Sequence, residues 1–188
     1  MASQVNLAFS EKIKGKVPVV SFIGKSNSGK TTLLKQVIRE MKSRGYSVGA
    51  IKHTHHDFGM DQPGKDSWQL AQAGSDAVAI SGPGKVAVMQ QVEEELTLDQ
   101  IAALFKCHLD IILAEGYKGG DTAKILVQGP ATEHFNYDDN LLAIVSPRMS
   151  ATGQPEFDGE VIDNIIELLI QQIGHRRLDK RKPEYAVQ

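Results

Sequence analysis

The sequence predicts an α/β fold: a three-layered domain with a mostly parallel sheet, helices on both faces and a small β-hairpin element. Three observations predict it. An apolar run rich in β-branched residues, 17–23, leads through a glycine-rich turn into a helix-periodic segment and then a second apolar strand. Strands and helices alternate through most of the remaining chain. The 188 residues are 41% hydrophobic and 23% charged, which suits one domain with its own core and excludes wholesale disorder.

Residues 1–16 are polar and mixed, and read as an N-terminal lead-in with a short strand around 5–9. The single domain is expected over 17–173. Residues 17–23, Val-Pro-Val-Val-Ser-Phe-Ile, suit a strand buried on both faces. After the turn from Gly24 to Gly29, Leu33, Leu34, Val37, Ile38 and Met41 recur at helical spacing, and Gly45 ends that helix. Residues 46–51 make the second strand. A strand–turn–helix–strand unit requires parallel strands and a right-handed crossover. Residues 52–64 form a loop with three histidines and two aspartates. Residues 66–73 make a short helix stopped by Gly74, and 77–80 and 86–90 make strands around the turn Gly82-Pro83-Gly84. Thr97 caps a helix as half of a capping box with Gln100; Leu98, Ile101, Ala102 and Phe105 form its apolar face. Residues 109–114 are the strongest later strand, 125–127 and 141–145 are two more, and the apolar positions from Val161 to Ile173 make a last helix. From 174 to 188 the chain is a basic polar tail.

Charge and cysteine content exclude whole function classes. Lys+Arg 21 against Asp+Glu 23 leaves a net charge of −2, so no global positive field exists to hold nucleic acid or anionic lipid. The one cysteine, Cys107, forms no internal disulfide and supports no cysteine-cluster zinc site. Apolar runs are too short to span a bilayer, and the first 16 residues show no signal-peptide pattern. A cytoplasmic protein with no nucleic-acid or membrane partner is expected.

The chemistry is concentrated in Gly24-Lys25-Ser26-Asn27-Ser28-Gly29-Lys30-Thr31-Thr32, which fits the phosphate-binding P-loop pattern G-x-x-x-x-G-K-[ST]. The glycines let successive backbone N–H groups point inward as an anion nest. The helix starting near Lys30 aims its positive dipole end at the same point. Lys30 reaches the β- and γ-phosphates, and the Thr31 hydroxyl is a Mg²⁺ ligand. The strand before and the amphipathic helix after are the context the pattern demands.

Such a loop needs an acid for the metal. Asp110 and Glu115 share one strand segment, five residues or roughly 16 Å apart, so both cannot serve the phosphate end. Ligands bind at the carboxyl ends of the strands in open α/β sheets. Glu115 is therefore the catalytic and metal-site acid, acting directly or through water, with Gly116 free to approach the γ-phosphate. Asp110 reads as a solvated strand start. Lys52 and His53, at the end of the second strand, face the same site and contact nucleotide or bridge to Glu115. Adjacent His55 and His56 point to opposite faces of an extended chain, so they are weighed as polar loop residues, as transition-metal ligands, or as contacts to a phosphorylated ligand. Asp57, Asp61 and Asp66 are candidates for positioning water or completing a metal shell, Asp57 foremost.

Other features read as structural. Gly82-Pro83-Gly84-Lys85-Val86-Ala87 fits the dinucleotide fingerprint, but strand alternation comes after it, so it is a hairpin turn. Cys107 lacks an activating neighbour other than His108. The cations of the tail, Arg176, Arg177, Lys180, Arg181 and Lys182, form a solvated tail. Lys25 reads as a solvated lysine rather than one that reaches across a dimer.

Taken together, the P-loop, Ile51-Lys52-His53-Thr54-His55-His56-Asp57, Pro63-Gly64-Lys65-Asp66-Ser67, Ala73-Gly74 and Leu113-Ala114-Glu115-Gly116-Tyr117-Lys118 resemble the MobB family, the molybdopterin-guanine dinucleotide biosynthesis adapters. The resemblance spans 18–145. It implies a P-loop protein that binds GTP and Mg²⁺ and hydrolyses GTP weakly. It implies a homodimer that assists the attachment of GMP to molybdopterin, alongside the molybdenum-cofactor nucleotidyltransferase and the molybdenum-insertion protein. The family's Mg²⁺ and phosphate positions fall on Lys30, Thr31 and Glu115.

The residues themselves do not declare the base. Guanine-specific GTPases usually carry N-K-x-D after a late strand, and none is present. Ser146-Pro147-Arg148 is the segment best placed to meet the base, yet it holds no acid for the guanine N1 and N2 donors. Two competing functions share the P-loop. A small-molecule kinase using ATP would need an arginine-rich lid, and no arginine lies between Pro63 and Val145. A nucleotide-gated metallochaperone would use His53, His55 and His56.

Overall fold

A computed structural model describes residues 17–56, 58–59, 61–129 and 140–174. The lead-in with its strand near 5–9, Asp57, and the tail beyond 174 lie outside these residues. The chain gathers into two compact units, one made by residues up to 53 and from 102 onward, the other by residues 54–101.

The first unit is built on a five-stranded parallel sheet in the order β2-β5-β1-β6-β7. Its strands are β1 (Val19–Ile23), β2 (Val48–Lys52), β5 (Ile111–Glu115), β6 (Ala123–Val127) and β7 (Leu141–Val145). The inner strands β1, β5 and β6 are buried along nearly their whole length, as their mostly apolar runs require, and Ser21 of β1 and Lys124 of β6 are buried with them. Helices α1 (Lys30–Ser43) and α4 (Gly159–Ile173) bury Leu33, Val37 and Met41, and Ile165, Ile166 and Leu169, in one cluster with Val20, Phe22, Ile111, Leu113 and Ile125. Each such side chain contributes about 1.5–3 kcal/mol by leaving water. Arg44 near the end of α1 is ion-paired with Asp163 on α4. On the opposite sheet face, Phe105 and Leu109 close over Gly49, where a Cβ would come within 2.7 Å of the Leu109 Cδ1.

The bounds differ from the sequence reading where tertiary bonds intervene. Helix α1 ends in a Schellman motif: Tyr46 N–H donates to the Met41 carbonyl at 3.0 Å and Gly45 N–H, at φ +82°, to that of Lys42 at 3.0 Å. Tyr46 is thereby spent on the helix, and β2 begins at Val48 rather than 46. Asp110 is not a solvated strand start. Its side chain is only 12% exposed, and its Oδ2 accepts from Ser47 N–H at 2.7 Å while its own N–H donates to the Ser47 carbonyl at 2.8 Å. This reciprocal pair ties the entry of β2 to that of β5. Two short strands have no counterpart in the sequence reading: β8 (Arg148–Met149) and β9 (Pro155–Glu156) form an antiparallel ribbon between β7 and α4.

In the second unit, α2 (Asp66–Gln72) precedes the antiparallel hairpin β3 (Ala77–Gly82) and β4 (Lys85–Gln90), in which Gly82 pairs with Lys85. The G-x-G-x-x-A sequence is thus a hairpin turn. Helix α3 (Leu98–Leu104) opens with the expected capping box: Gln100 Oε1 accepts from Thr97 N–H at 2.8 Å and Thr97 Oγ1 from Gln100 N–H at 3.3 Å. No helix among the described residues is long and apolar enough to cross a membrane.

Candidate functional site

The site starts where β1 ends. Gly24 has φ +147°, and a Cβ there would lie 2.3 Å from the Val127 carbonyl oxygen, so the loop closes against β6 only with glycine at this position. Asn27 is also left-handed at φ +62°, and the Ser28 N–H donates to the Lys25 carbonyl at 3.3 Å. Gly29 is the N-cap of α1 at φ +96° and offers no side-chain cap, and the first turn holds no acid. The first N–H groups and the helix dipole are therefore left for an external anion. The Ser28 Oγ is buried without a hydrogen-bond partner. Lys25 and Ser26 are exposed on the outer side of the loop, and Thr32 is half-buried on α1.

Lys30 comes next. Its Nζ donates to the Gly24 carbonyl at 3.2 Å and to that of Lys25, so the cation lies over its own loop. Burial pushes the Lys30 ammonium below its ordinary pKa; Glu115 opposes this, and Lys118 and Lys52 add to it. Glu115 ends β5, directly beside β1, in register with Phe22 on one side and Lys52 on the other. Its side chain is 16% exposed, its Oε1 lies 3.7 Å from Lys52 Nζ, and its Oε2 accepts from the Thr31 hydroxyl at 2.8 Å. The loop, Lys30, Thr31, Lys52 and Glu115 are thus brought together as the sequence placed them. Asp110 sits at the opposite end of β5.

His53 and Gly116 complete this end of the sheet. The His53 N–H donates to the Glu115 carbonyl at 2.9 Å, and its ring meets that of Tyr117 at a centroid distance of 4.5 Å. Gly116 at φ +109° and Tyr117 at φ +57° turn the chain sharply after Glu115. His55, His56, Asp61 and Asp66 belong to the other unit, and no group of three or more metal-ligating side chains occurs among the described residues. Ser146, Pro147 and Arg148 leave β7 at the same sheet end; Arg148 Nη2 lies 3.0 Å from Asp158 Oδ2.

Sequence reasoning missed three participants. Lys118 is near enough to act on Lys30; its place beside Glu115 in Glu115-Gly116-Tyr117-Lys118 was the available signal. Pro155 and Phe157 press on the loop, since a Cβ at Gly29 would come within 2.9 Å of the Pro155 Cβ and 3.2 Å of the Phe157 Cζ. No local pattern announces a contact between segments so far apart in the chain.

A strand, a loop closed by glycines, and an acid bonded to the loop's own threonine thus meet at the carboxyl end of the sheet. The family model for molybdopterin guanine dinucleotide synthesis protein B, MobB, matches residues 19–147. The chain belongs to the MobB family. Over 140 residues it is 39% identical to the molybdopterin-guanine dinucleotide biosynthesis adapter protein of Escherichia coli (strain K12), covering 71% of this chain and 80% of that one. The adapter protein of Haemophilus influenzae is 38% identical over 116 residues, 61% of this chain and 65% of its own. The crystal structure of Bacillus subtilis MobB superposes with a TM-score of 0.62 at 25% identity, over 82% of this chain and 97% of that one. A further MobB crystal structure gives 0.59 at 25% identity over 82% and 98%. The matched MobB region contains the loop, Lys52, His53 and Glu115; the ribbon β8–β9 and Asp158 lie beyond it.

Proposed function

We propose that the protein binds Mg²⁺·GTP on the 24–32 loop and hydrolyses it slowly, in service of the adapter role in molybdopterin-guanine dinucleotide biosynthesis that its family carries. The observation that carries this reading is the 2.8 Å bond from the Thr31 hydroxyl to Glu115 beside Lys30. Two hard oxygen donors face each other at the mouth of an anion loop, the donor chemistry that suits Mg²⁺. Thr31 and Glu115 would hold Mg²⁺, which would supply positive charge against the phosphates. Lys30 leaves the carbonyls of Gly24 and Lys25 for the phosphates. Lys52, 3.7 Å from Glu115, adds positive charge at the γ-phosphate end together with Lys118. Slow turnover is the activity the family resemblance implies for this site.

The functional form is a homodimer, and the partners are the nucleotidyltransferase and molybdenum-insertion proteins of the same biosynthesis; the family resemblance supports both. The test is titration of GTP and ATP with and without Mg²⁺, on the wild type, Lys30→Ala and Glu115→Gln. GTP binding should need Mg²⁺ and Lys30, and Glu115→Gln should lose the gain that Mg²⁺ confers. ATP preference, or fast turnover only with a small acceptor present, would overturn the reading in favour of a kinase.

A further inference from the structure

We infer that Asp158 and Arg148 form a guanine-reading pair, with Asp158 accepting from N1–H and the N2 amino group and Arg148 donating to O6 and N7. The inference rests on the nucleotide reading above and assigns the residues that choose its base. Both residues stand where a nucleotide held by the loop would extend. Val145, the last residue of β7, pairs with Val127 of β6, whose carbonyl abuts Gly24. The chain leaving β7 therefore emerges beside the phosphate loop. It then runs through the β8–β9 ribbon and returns to the loop at Pro155 and Phe157, which pack on Gly29. Asp158 is the next residue.

The local geometry of Asp158 is not that of a structural cap. It is the N-cap of α4, with extended φ −70° and ψ 155°, yet it makes no side-chain cap bond. An aspartate at this position ordinarily accepts from the first-turn N–H groups, a bond worth about 1 kcal/mol. Here the carboxylate is turned to Arg148 at 3.0 Å, with the two side chains 46% and 79% exposed. An exposed pair of this kind contributes at most about 1 kcal/mol to stability. A carboxylate and a guanidinium are thus held side by side on the rim, available to solvent, at little structural gain.

Their chemistry matches one base. Guanine presents two donors, N1–H and the N2 amino group, next to two acceptors, O6 and N7. A carboxylate accepts from the first pair, and an arginine fork fits the second. Adenine presents an acceptor at N1 and a donor at its 6-amino group, so the carboxylate would face a lone pair. The acid missing after β7 in the sequence is supplied ten positions beyond Arg148, across the ribbon.

The experiment measures Mg²⁺-dependent affinities of GTP, ATP, inosine and xanthosine triphosphates, and inorganic tripolyphosphate, for the wild type, Asp158→Ala, Asp158→Asn and Arg148→Ala. Tripolyphosphate reports the loop alone and shows whether each variant keeps it intact. Asp158→Ala should lower GTP affinity about 10- to 100-fold and leave the GTP-to-ATP ratio near one. Asp158→Asn, whose amide can donate to the xanthine O2, should shift preference from GTP toward xanthosine triphosphate. Arg148→Ala should weaken GTP and inosine triphosphate by the same factor. A wild type that binds tripolyphosphate through Lys30 and binds GTP and ATP equally overturns this inference alone. So does retention of the wild-type ratio in both Asp158 variants, which would make the pair a brace between ribbon and helix. A wild type that binds neither tripolyphosphate nor nucleotide overturns the nucleotide reading with it.

Discussion

Replacing Gly116 by alanine tests how tightly the Glu115 end of β5 is built. Gly116 sits at φ +109°, where a residue with a Cβ pays about 1–2 kcal/mol. The new Cβ would also lie 2.9 Å from the His53 Cβ and 3.5 Å from its Nδ1. His53 has little room to yield, because its N–H is bonded to the Glu115 carbonyl at 2.9 Å and its ring rests on Tyr117. Forcing a methyl group into such a contact costs about 1–3 kcal/mol more. The sum is about 2–5 kcal/mol. Gly45 supplies the control: its φ is +82°, but nothing lies within 4 Å of a Cβ placed there, so Gly45→Ala should cost only the conformational share. Urea unfolding of both variants, followed by far-ultraviolet circular dichroism, gives the two losses on one scale. Mg²⁺-dependent GTP affinity should fall in Gly116→Ala, whose strain is delivered to Glu115, and hold in Gly45→Ala. Equal stability losses for the two variants would refute the close-packing argument. Unchanged GTP affinity in a destabilised Gly116→Ala would refute its link to the site.

The same geometry sets two further outcomes. Asp110→Ala removes the 2.7 Å acceptor of Ser47 N–H and should cost about 1–3 kcal/mol in urea unfolding while leaving GTP affinity intact, since Asp110 lies at the far end of β5. The Lys30 ammonium, held below 10.5 chiefly by burial, binds phosphate only while charged, so affinity is full below its pKa and lost as pH rises through it. Affinity measured across the alkaline range should therefore fall before the ordinary lysine range is reached. Glu115→Gln, which removes the charge that raises the Lys30 pKa, should move that fall to lower pH.

What the sequence made legible was what is local or dictated by strand polarity. The phosphate loop is a contiguous run with a strand before and a helix after, and the bonds of Ser28 and Lys30 that shape it stay within the loop. The choice of Glu115 over Asp110 needed only the rule that ligands meet the carboxyl ends of parallel strands, and β5 does lie directly against β1. The hairpin at Gly82 and the capping box at Thr97 are likewise closed by residues close together in the chain. Asp110 is misplaced by its sequence because its partner, the Ser47 backbone, is 63 residues away. An aspartate just ahead of a strand looks the same in sequence whether water or a distant N–H group satisfies it.

The ribbon shows the same limit at the site itself. Two-residue strands carry too little alternation to stand out, so β8 and β9 are invisible as a pattern, although Pro155 and Phe157 are what closes over Gly29. A motif search for base recognition asks for donor and acceptor within one short word. Here Arg148 and Asp158 meet only because an antiparallel turn folds 148–156 back on itself. The segment after β7 lacks an acid by sequence but not by structure. On the proposed reading, phosphate binding is separable from base choice: one belongs to a contiguous loop, the other to a contact between the start of β8 and the N-cap of α4. Variants of Asp158 should alter preference among nucleotides without altering the dependence of each on Lys30 and Mg²⁺.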